Sequence, residues 1–383
     1  MNVSIDMKNL NEDRYYVFCV NFPGMILANY LKSVGKYVEY LDNDKEKWNK
    51  IVVEQKCISP NSADISTPCV IAAQNSDSRN AIRNQLKSLG FCKIFDIDDN
   101  WKKEWVDSYA PQMDDELYLK VFWYSRMGNN LDLDHPKTFN EKLQWLKLHD
   151  QRLEYTIMAD KYEVKKWVAE VIGNKYVIPT YGVYDSFSEI DFDSVPDSFV
   201  IKTTHDSGGT DICRNKREFN YAEVKNHMEY CMSYNYYYKE REFSYKGIKP
   251  RIIIEKYLED EGKSDISDYK VFCFDGIPQL IQVDIDRYTN HRRNLYSTDW
   301  ELLDFSLQYP TAHEIEIKKP ECLEELLNAS RALSKGIPHV RVDFYIIGKA
   351  IFFGEMTFYH GGGYEVFDPR EWDDKMGSFI TVI

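Results

Sequence analysis

Two runs near the end of the chain carry its most informative pattern, His339-Val-Arg-Val-Asp-Phe-Tyr345 and Ala350-Ile-Phe-Phe-Gly-Glu-Met-Thr357. Both have the composition of strands, and the short turn between them predicts a hairpin. Side chains alternate along a strand, so Arg341 and Asp343 share one face of the first strand. Glu355 and Thr357 share one face of the second. The hairpin would bring both carboxylates and the hydroxyl into one layer, an oxygen-only set that suits Mg²⁺. The alternative interpretation is an amphipathic sheet whose polar face is solvated.

A second pattern lies upstream, where Phe199-Val-Ile-Lys-Thr203 places Lys202 on a strand and Ser207-Gly208-Gly209 follow. Glycines let backbone amides approach phosphate oxygens, and a lysine on a strand supplies a fixed positive charge. This combination predicts a phosphate site. The alternative is an ordinary β-turn after an edge strand.

Three further runs are candidates for ligand contacts. The run Ile252-Ile-Ile-Glu-Lys-Tyr-Leu258 is a strand that leads into a linker. The backbone groups of this linker could pair with an adenine edge; the alternative is an ordinary strand end. Asp284-Ile-Asp-Arg287 and His291-Arg-Arg293 gather three arginines that could hold a phosphate or carboxylate, or form a solvated loop. The triplet Gly361–Gly363 could supply amide donors to a ligand or form a surface turn.

The rest of the chain divides into segments with strand-like and helical patterns. Residues 15–98 read as strand, helix and strand in turn, which predicts a βαβ unit with a parallel sheet. The turn Asn21-Phe-Pro-Gly24 lacks the G-x-G-x-x-G pattern of dinucleotide binding. Residues 99–182 read as helical, and residues 183–383 return to strands. We therefore predict domains over 1–98, 99–182 and 183–383.

Composition limits the class of protein. The chain has 383 residues and a formal net charge of −14, so a general nucleic-acid binder is disfavoured because the surface repels phosphate backbones. No apolar run approaches the ~18 residues that a membrane span needs. The polar N-terminal residues lack the apolar core of a signal peptide. The eight cysteines are scattered without a C-x-x-C pair, which is typical of reduced thiols. We expect a cytoplasmic protein.

Taken in order along the chain, these runs resemble those of the ATP-grasp enzymes. Their residues resemble most those of the TupA-like ATP-grasp family, which is linked to teichuronopeptide and capsular polysaccharide synthesis. The resemblance covers roughly residues 115–380. It rests on the following stretches: Thr138-Phe-Asn-Glu-Lys-Leu-Gln-Trp-Leu-Lys147, Ala159-Asp-Lys-Tyr162, Val200-Ile-Lys-Thr-Thr-His-Asp-Ser-Gly-Gly209, Lys249-Pro-Arg-Ile252, Asp268-Tyr-Lys270, Asp286-Arg-Tyr288, Asn290-His291, Arg341-Val-Asp-Phe344 and Gly354-Glu-Met-Thr-Phe-Tyr359. It implies an ATP-grasp fold, mixed α/β and α+β. The first ~100 residues fall outside it and resemble the small Rossmann-like domains attached to sugar-modifying enzymes. Such a domain would bind a nucleotide sugar or serve a structural or partner-docking role.

The resemblance also implies a role for each matching residue. The phosphates of ATP would contact Lys161, Lys202 and the loop Ser207, Gly208 and Gly209. The adenine edge would meet the backbone of Glu255, Lys256, Tyr257 and Leu258, and the ribose hydroxyls would meet Asp268 or Glu259. Mg²⁺ would be held by Asp343 and Glu355, with Thr357 standing where many ATP-grasp enzymes have Asn. Arg341 would stabilise the transferring phosphoryl group, and Arg287 and Arg293 would help to hold the acceptor or phosphate.

The implied reaction is ATP-dependent ligation of a carboxylate to an amine through an acyl phosphate. The resemblance points to a uronic acid of a surface polysaccharide precursor as the carboxylate, with an amino acid or amino alcohol as the amine. Two alternatives are a phosphotransferase that phosphorylates a sugar and a binding module with a decayed ATP-grasp fold. The ligase, the phosphotransferase and the binding module differ in whether they release ADP and free phosphate, and in whether that release requires an amine.

Overall fold

The computed structural model describes residues 10–97, 109–259, 268–286 and 289–382. The chain forms two compact units, Met1–Asp132 and Leu133–Ile383. No helix in these described ranges is both long enough and apolar enough to cross a membrane.

The first unit contains a six-stranded sheet in the order β3-β4-β2-β1-β5-β6. Its neighbours pair in parallel, except for the antiparallel hairpin β3–β4. The strands are β1 (Arg14–Phe18), β2 (Tyr37–Leu41), β3 (Ile51–Val52), β4 (Gln55–Ile58), β5 (Cys69–Ile71) and β6 (Ile94–Asp96). The helices of its described residues are α1 (Phe22–Ser33), α2 (Ser76–Ser88) and α3 (Asp115–Met127). The predicted Rossmann-like parallel sheet is confirmed.

The turn between β1 and α1 is shaped by packing. The Asn21 side chain caps α1 by accepting a hydrogen bond from the Gly24 N–H at 2.9 Å. A side chain at Gly24 would collide with the Cys19 carbonyl oxygen, so glycine allows the helix to start close to the strand. The first unit also extends beyond the predicted boundary at residue 98. Tyr118 and Val121 of α3 belong to its hydrophobic core, because the apolar face of this helix is buried there rather than among the later helices.

The second unit contains two antiparallel sheets of the described strands and a short strand pair. The four-stranded sheet has the order β7-β10-β8-β9 and the five-stranded sheet the order β13-β12-β11-β15-β16, while β14 pairs with β17. The strands are β7 (Thr180–Tyr184), β8 (Phe199–Thr203), β9 (Thr210–Cys213), β10 (Ile252–Lys256), β11 (Asp268–Phe274), β12 (Ile277–Ile285), β13 (Arg292–Ser297), β14 (Ser306–Leu307), β15 (Val340–Ile347), β16 (Ala350–Thr357) and β17 (Phe367–Asp368). The helices are α4 (Phe139–His149), α5 (Glu154–Ala159), α6 (Glu163–Val171), α7 (Tyr221–Met232), α8 (Tyr237–Glu240), α9 (Leu323–Leu333) and α10 (Glu371–Ser378).

Local sequence explains two features that position the site. Thr138 and Glu141 form a capping box at the start of α4, as their spacing predicts. The Gly361–Gly363 turn after β16 has left-handed φ at all three glycines and is largely buried. The Gly362 carbonyl oxygen accepts hydrogen bonds from Gln144 Nε2 at 2.9 Å and from Lys147 Nζ at 2.8 Å. This turn is therefore fixed by α4, rather than forming the free surface turn considered from the sequence.

Candidate active site

The hairpin β15–β16 brings the predicted carboxylates together. Its register places Asp343 opposite Glu355 and Arg341 opposite Thr357. The Arg341 Nη2 atom donates to Asp343 Oδ2 at 2.6 Å, to Thr357 Oγ1 at 3.0 Å and to Glu355 Oε1 at 3.2 Å. The three oxygens predicted to hold a metal ion thus converge on one positively charged nitrogen.

The type and arrangement of these three oxygens can be compared with what Mg²⁺ prefers. Hard oxygen donors that already converge on a cation are the chemistry that Mg²⁺ prefers. The Glu355 side chain is 47% exposed and open to a ligand, whereas the Asp343 side chain is 4% exposed and paired with Arg341. In the described ranges, no group of three or more His, Cys, Asp or Glu side chains is arranged to hold a metal ion. A magnesium ion here would therefore depend on phosphate oxygens for part of its coordination.

Asp343 also belongs to a closed ring of ionisable side chains. The ring runs from Arg341 through Asp343, Lys270, Asp284, Arg293, Glu365 and His360 back to Arg341, with successive distances of 2.6, 3.2, 3.9, 2.9, 2.9, 2.7 and 2.6 Å. Because a guanidinium only donates, Nδ1 of His360 accepts from Arg341. Burial lowers the pKa of His360, so this imidazole is neutral near pH 7.

The ring changes the interpretation of Arg293. Its Nε donates to Asp284 at 2.9 Å, and its Nη1 donates to Glu365 at 2.9 Å and to the Leu307 carbonyl at 3.0 Å. Arg293 is 5% exposed. The predicted contact with the acceptor does not fit this placement, because the guanidinium is held inside the sheet by two carboxylates. The other arginine of that prediction, Arg287, lies outside the described residues.

A second cluster joins β8, β10 and α6. The Glu255 carboxylate lies 2.7 Å from Lys202 Nζ and 2.6 Å from Lys165 Nζ, and all three side chains are largely buried. Burial alone would raise the pKa of Glu255, but Lys202 and Lys165 outweigh it and lower that pKa to about 2. Glu255 therefore stays ionised and fixes both lysines in place.

The linker after Glu255 is partly held by neighbouring segments. The Lys256 N–H donates to the Pro179 carbonyl at 2.9 Å, and Tyr257 Oη accepts from Arg214 at 3.0 Å. Leu258 is buried, whereas Lys256 and Glu259 are exposed. A cavity of about 370 Å³, lined in part by Lys165 and Pro179, lies beside this segment. Its volume is within the range of small-ligand sites. A larger cavity, of about 600 Å³, is lined by none of the predicted residues.

The loop after Lys202 is anchored by Lys161. The Lys161 ammonium donates to the Thr203 carbonyl at 2.8 Å, also donates to the Asp206 carbonyl, and lies 3.3 Å from Asp206 Oδ1. Ser207 and Gly208 stay exposed, and Gly209 is buried. Lys161 thus positions the loop in this structure, while its predicted phosphate contact stays a prediction. Asp268, predicted for the ribose, forms an ion pair with Lys270.

The two clusters interact through charge within the second unit. Burial lowers the pKa of Lys202, but the negative charges of Glu255 and Glu355, together with Tyr345, more than compensate and raise it. The lysine of β8 and the exposed glutamate of β16 therefore lie within electrostatic range. A triphosphate between them would meet a lysine and a glycine loop on one side and carboxylates on the other.

The TupA-like ATP-grasp family model matches residues 141–381, which is well over half of the chain. The chain belongs to this TupA-like ATP-grasp family. The predicted family, ATP-grasp fold and enzyme class, an ATP-grasp ligase, are thereby confirmed. No curated protein matches this ATP-grasp chain closely enough to count as a relative.

Three solved structures are similar to this TupA-like chain at low identity. The L-amino acid ligase of Bacillus licheniformis has 11% identity and a TM-score of 0.35 over 93% of this chain and 70% of the ligase. The D-alanine–D-alanine ligase of Bacillus anthracis has 15% identity and a TM-score of 0.33 over 96% of both chains. The N5-carboxyaminoimidazole synthetase of Staphylococcus aureus has 14% identity and a TM-score of 0.30 over 93% of this chain and 72% of the synthetase.

Several site residues of this ATP-grasp chain escape sequence reasoning. Lys165 and Glu365 carry no motif, and His360 lies beside the glycine triplet with no role predicted for it. Their main partners lie far along the chain: Glu255 for Lys165, Arg341 for His360 and Arg293 for Glu365. Oppositely charged residues at paired positions of neighbouring strands could have been predicted in part. Lys270 lies opposite Asp343, and Asp284 lies opposite Arg293, so opposite charges at paired positions could have revealed them once the register was known.

The buried carboxylates predict a loss of stability in acid. The pKa of Glu255 and that of Glu365 are each lowered from 4.5 to about 2, because Lys202 and Lys165 outweigh burial at Glu255, and His360 and Arg293 outweigh it at Glu365. Their stabilisation is complete above about pH 4.5 and is lost as the pH falls towards 2, because the unfolded chain then binds more protons. We expect the free energy of unfolding to fall by a few kcal/mol on going from pH 6 to pH 3. Urea denaturation at each pH measures this, and Glu365→Gln should reduce the pH dependence. An unchanged urea midpoint would contradict the assigned ion pairs.

Proposed function

We propose that this chain is an ATP-dependent carboxylate–amine ligase that forms an amide through an acyl phosphate. The observation that carries the proposal is the pairing of two clusters in one unit of an ATP-grasp chain. Lys202 and Glu255 form one cluster, Arg341 and Asp343 belong to the other, and Glu355 lies within electrostatic range of both.

The chemistry requires both clusters. A carboxylate is a poor electrophile because its negative charge repels a nucleophile. Transfer of the γ-phosphoryl group of ATP gives an acyl phosphate with a good leaving group, and charge spreads over the phosphate oxygens during transfer. Lys202 would hold phosphate oxygens, and Arg341 would offset the charge on the transferring group. The loop over Ser207–Gly209 would exclude water from the acyl phosphate.

Two cofactor assignments belong to this proposal. Mg²⁺ would be held by Glu355 and Asp343, with Thr357 beside them, and when bound it would neutralise phosphate charge. ATP would place its adenine edge along Glu255–Leu258, where β10 ends, and its ribose near Asp268 or Glu259. The Lys161 contacts support an indirect role, in which that lysine orders the phosphate loop.

The proposed substrates are a uronic acid of a capsular or cell-surface polysaccharide precursor and an amino acid or amino alcohol. Membership of the TupA-like family supports this choice. We propose a cytoplasmic location, where ATP is available and where all eight cysteines would stay unpaired, as they are here.

The experiment is a screen of uronic acids against amines that measures ADP and free phosphate. We expect release of both only when acid and amine are present together. ADP without free phosphate and without an amine requirement would identify a sugar phosphotransferase instead. Release of neither product, with ATP still bound, would identify a non-catalytic binding module.

A further inference from the structure

The segment Tyr236–Tyr245 connects the glycine loop to the end of the carboxylate strand. At one end, the Tyr236 hydroxyl approaches the Ser207 side chain of the loop. At the other, Glu240 packs against Gly362, where any side chain would collide with the Glu240 carboxylate. The Tyr236 and Tyr245 rings lie 4.8 Å apart, edge to face. This segment therefore links the proposed phosphate loop to the glycine turn that follows β16.

Glu242 is the unusual member of this segment. It is 7% exposed, and among the described residues its carboxylate is influenced by burial and by nearby charges, with no hydrogen bond to it. Lys147, the cation that acts most strongly on Glu242, donates instead to the Gly362 carbonyl at 2.8 Å and to Gln144 Oε1 at 3.0 Å. A buried carboxyl group without a partner favours its protonated form, and a cation that enters beside it would favour the carboxylate.

The surroundings of Glu242 suit a group that exchanges a proton. The charged and titratable groups facing it are Lys147, Glu240, Lys239, Glu355, Tyr236, Tyr245 and Tyr359. Burial raises the pKa of Glu242 to about 8, and Lys147 opposes that shift only in part. A base is most effective when its pKa is near the working pH.

We propose that Glu242, flanked by Tyr236 and Tyr245, binds the primary ammonium of the amine substrate and removes its proton. The inference rests on the proposed ligase function and assigns the amine subsite within it. The carboxylate pairs with the ammonium, and the tyrosines supply ring faces and hydroxyls around it.

The proton balance of the step is complete. Glu242 takes one proton from the ammonium, which leaves a neutral amine and a carboxylic acid. The amine lone pair attacks the carbonyl carbon of the acyl phosphate, so the C–N bond forms and the C–O bond to phosphate breaks. The second proton on nitrogen leaves with the departing phosphate, and Glu242 returns its proton to solvent.

The test compares two nucleophiles in wild type and Glu242→Gln. Hydroxylamine is largely unprotonated at neutral pH and needs no base, whereas ethanolamine and serine are protonated. With D-glucuronic or D-galacturonic acid as the acid, we expect Glu242→Gln to reduce amide formation from the protonated amines about a hundredfold. Hydroxamate formation should stay within about threefold of wild type. Glu240→Gln is the matched control, and both of its rates should stay near those of the wild type.

The two rates separate the possible failures. Equal loss of amide and hydroxamate in Glu242→Gln would mean that the substitution damages the fold or ATP use, and it would overturn the amine subsite. Unchanged amide formation would overturn it as well. If the wild type forms neither product and releases no ADP with these acids, the ligase proposal fails, and the subsite fails with it.

Discussion

Asp343→Asn is expected to lower kcat about a thousandfold or more, because it removes a negative charge from the point where Mg²⁺ and the phosphates are proposed to meet. It should also lower the free energy of unfolding by about 3–4 kcal/mol. The stability cost arises because Asp343 accepts two hydrogen bonds from the buried Arg341 and lies 3.2 Å from the buried Lys270. The substitution leaves both cations short of a partner. Urea denaturation and ADP release measure the two effects.

Glu355→Gln separates the catalytic part of this effect from the structural part. Its side chain is half exposed and touches Arg341 at 3.2 Å, so the free energy of unfolding should change by less than about 1 kcal/mol. Turnover should still fall about a hundredfold, since the exposed carboxylate is the more accessible of the two proposed ligands. Turnover near that of the wild type in both variants would contradict a magnesium site on this hairpin.

The contrast between these two carboxylates shows what sequence can and cannot reveal. Alternation along the strands is enough to place Asp343 and Glu355 in one layer, because the period of a strand and the short turn fix the pairing. The burial of Asp343 depends on Lys270 from β11 and on the His360–Glu365 pair that follows β16. These partners come together only in the folded five-stranded sheet, so no local sequence pattern predicts their contacts with Asp343.

The two glycine-rich runs look alike in sequence but differ in their burial. The sequence identifies Ser207–Gly209 and Gly361–Gly363 as possible ligand loops on the same argument. In the structure, Ser207 and Gly208 are exposed, whereas Gly362 is buried under Gln144 and Lys147. What separates the two loops is the position of α4, which depends on tertiary packing rather than on the glycines themselves.

Glu255→Gln is expected to be the most destabilising single change in the lysine cluster, with a loss of about 3–5 kcal/mol in the free energy of unfolding. The reason is that Glu255 is the shared counter-ion of Lys165 and Lys202, at 2.6 and 2.7 Å. Without it, two buried like charges remain close together. Urea denaturation measures the loss.

Lys202→Ala is the matched comparison, because it leaves Glu255 paired with Lys165. We expect this variant to lose only about 1–2 kcal/mol of stability but to bind ATP about 10- to 100-fold more weakly, since a charge-assisted hydrogen bond to phosphate is lost. Calorimetric titration with ATP and Mg²⁺ measures the affinity. An unchanged affinity would remove Lys202 from the nucleotide site. Equal stability losses in the two variants would show that Glu255 does not balance both lysines. The two measurements together therefore test whether this cluster both binds nucleotide and holds β8, β10 and α6 together.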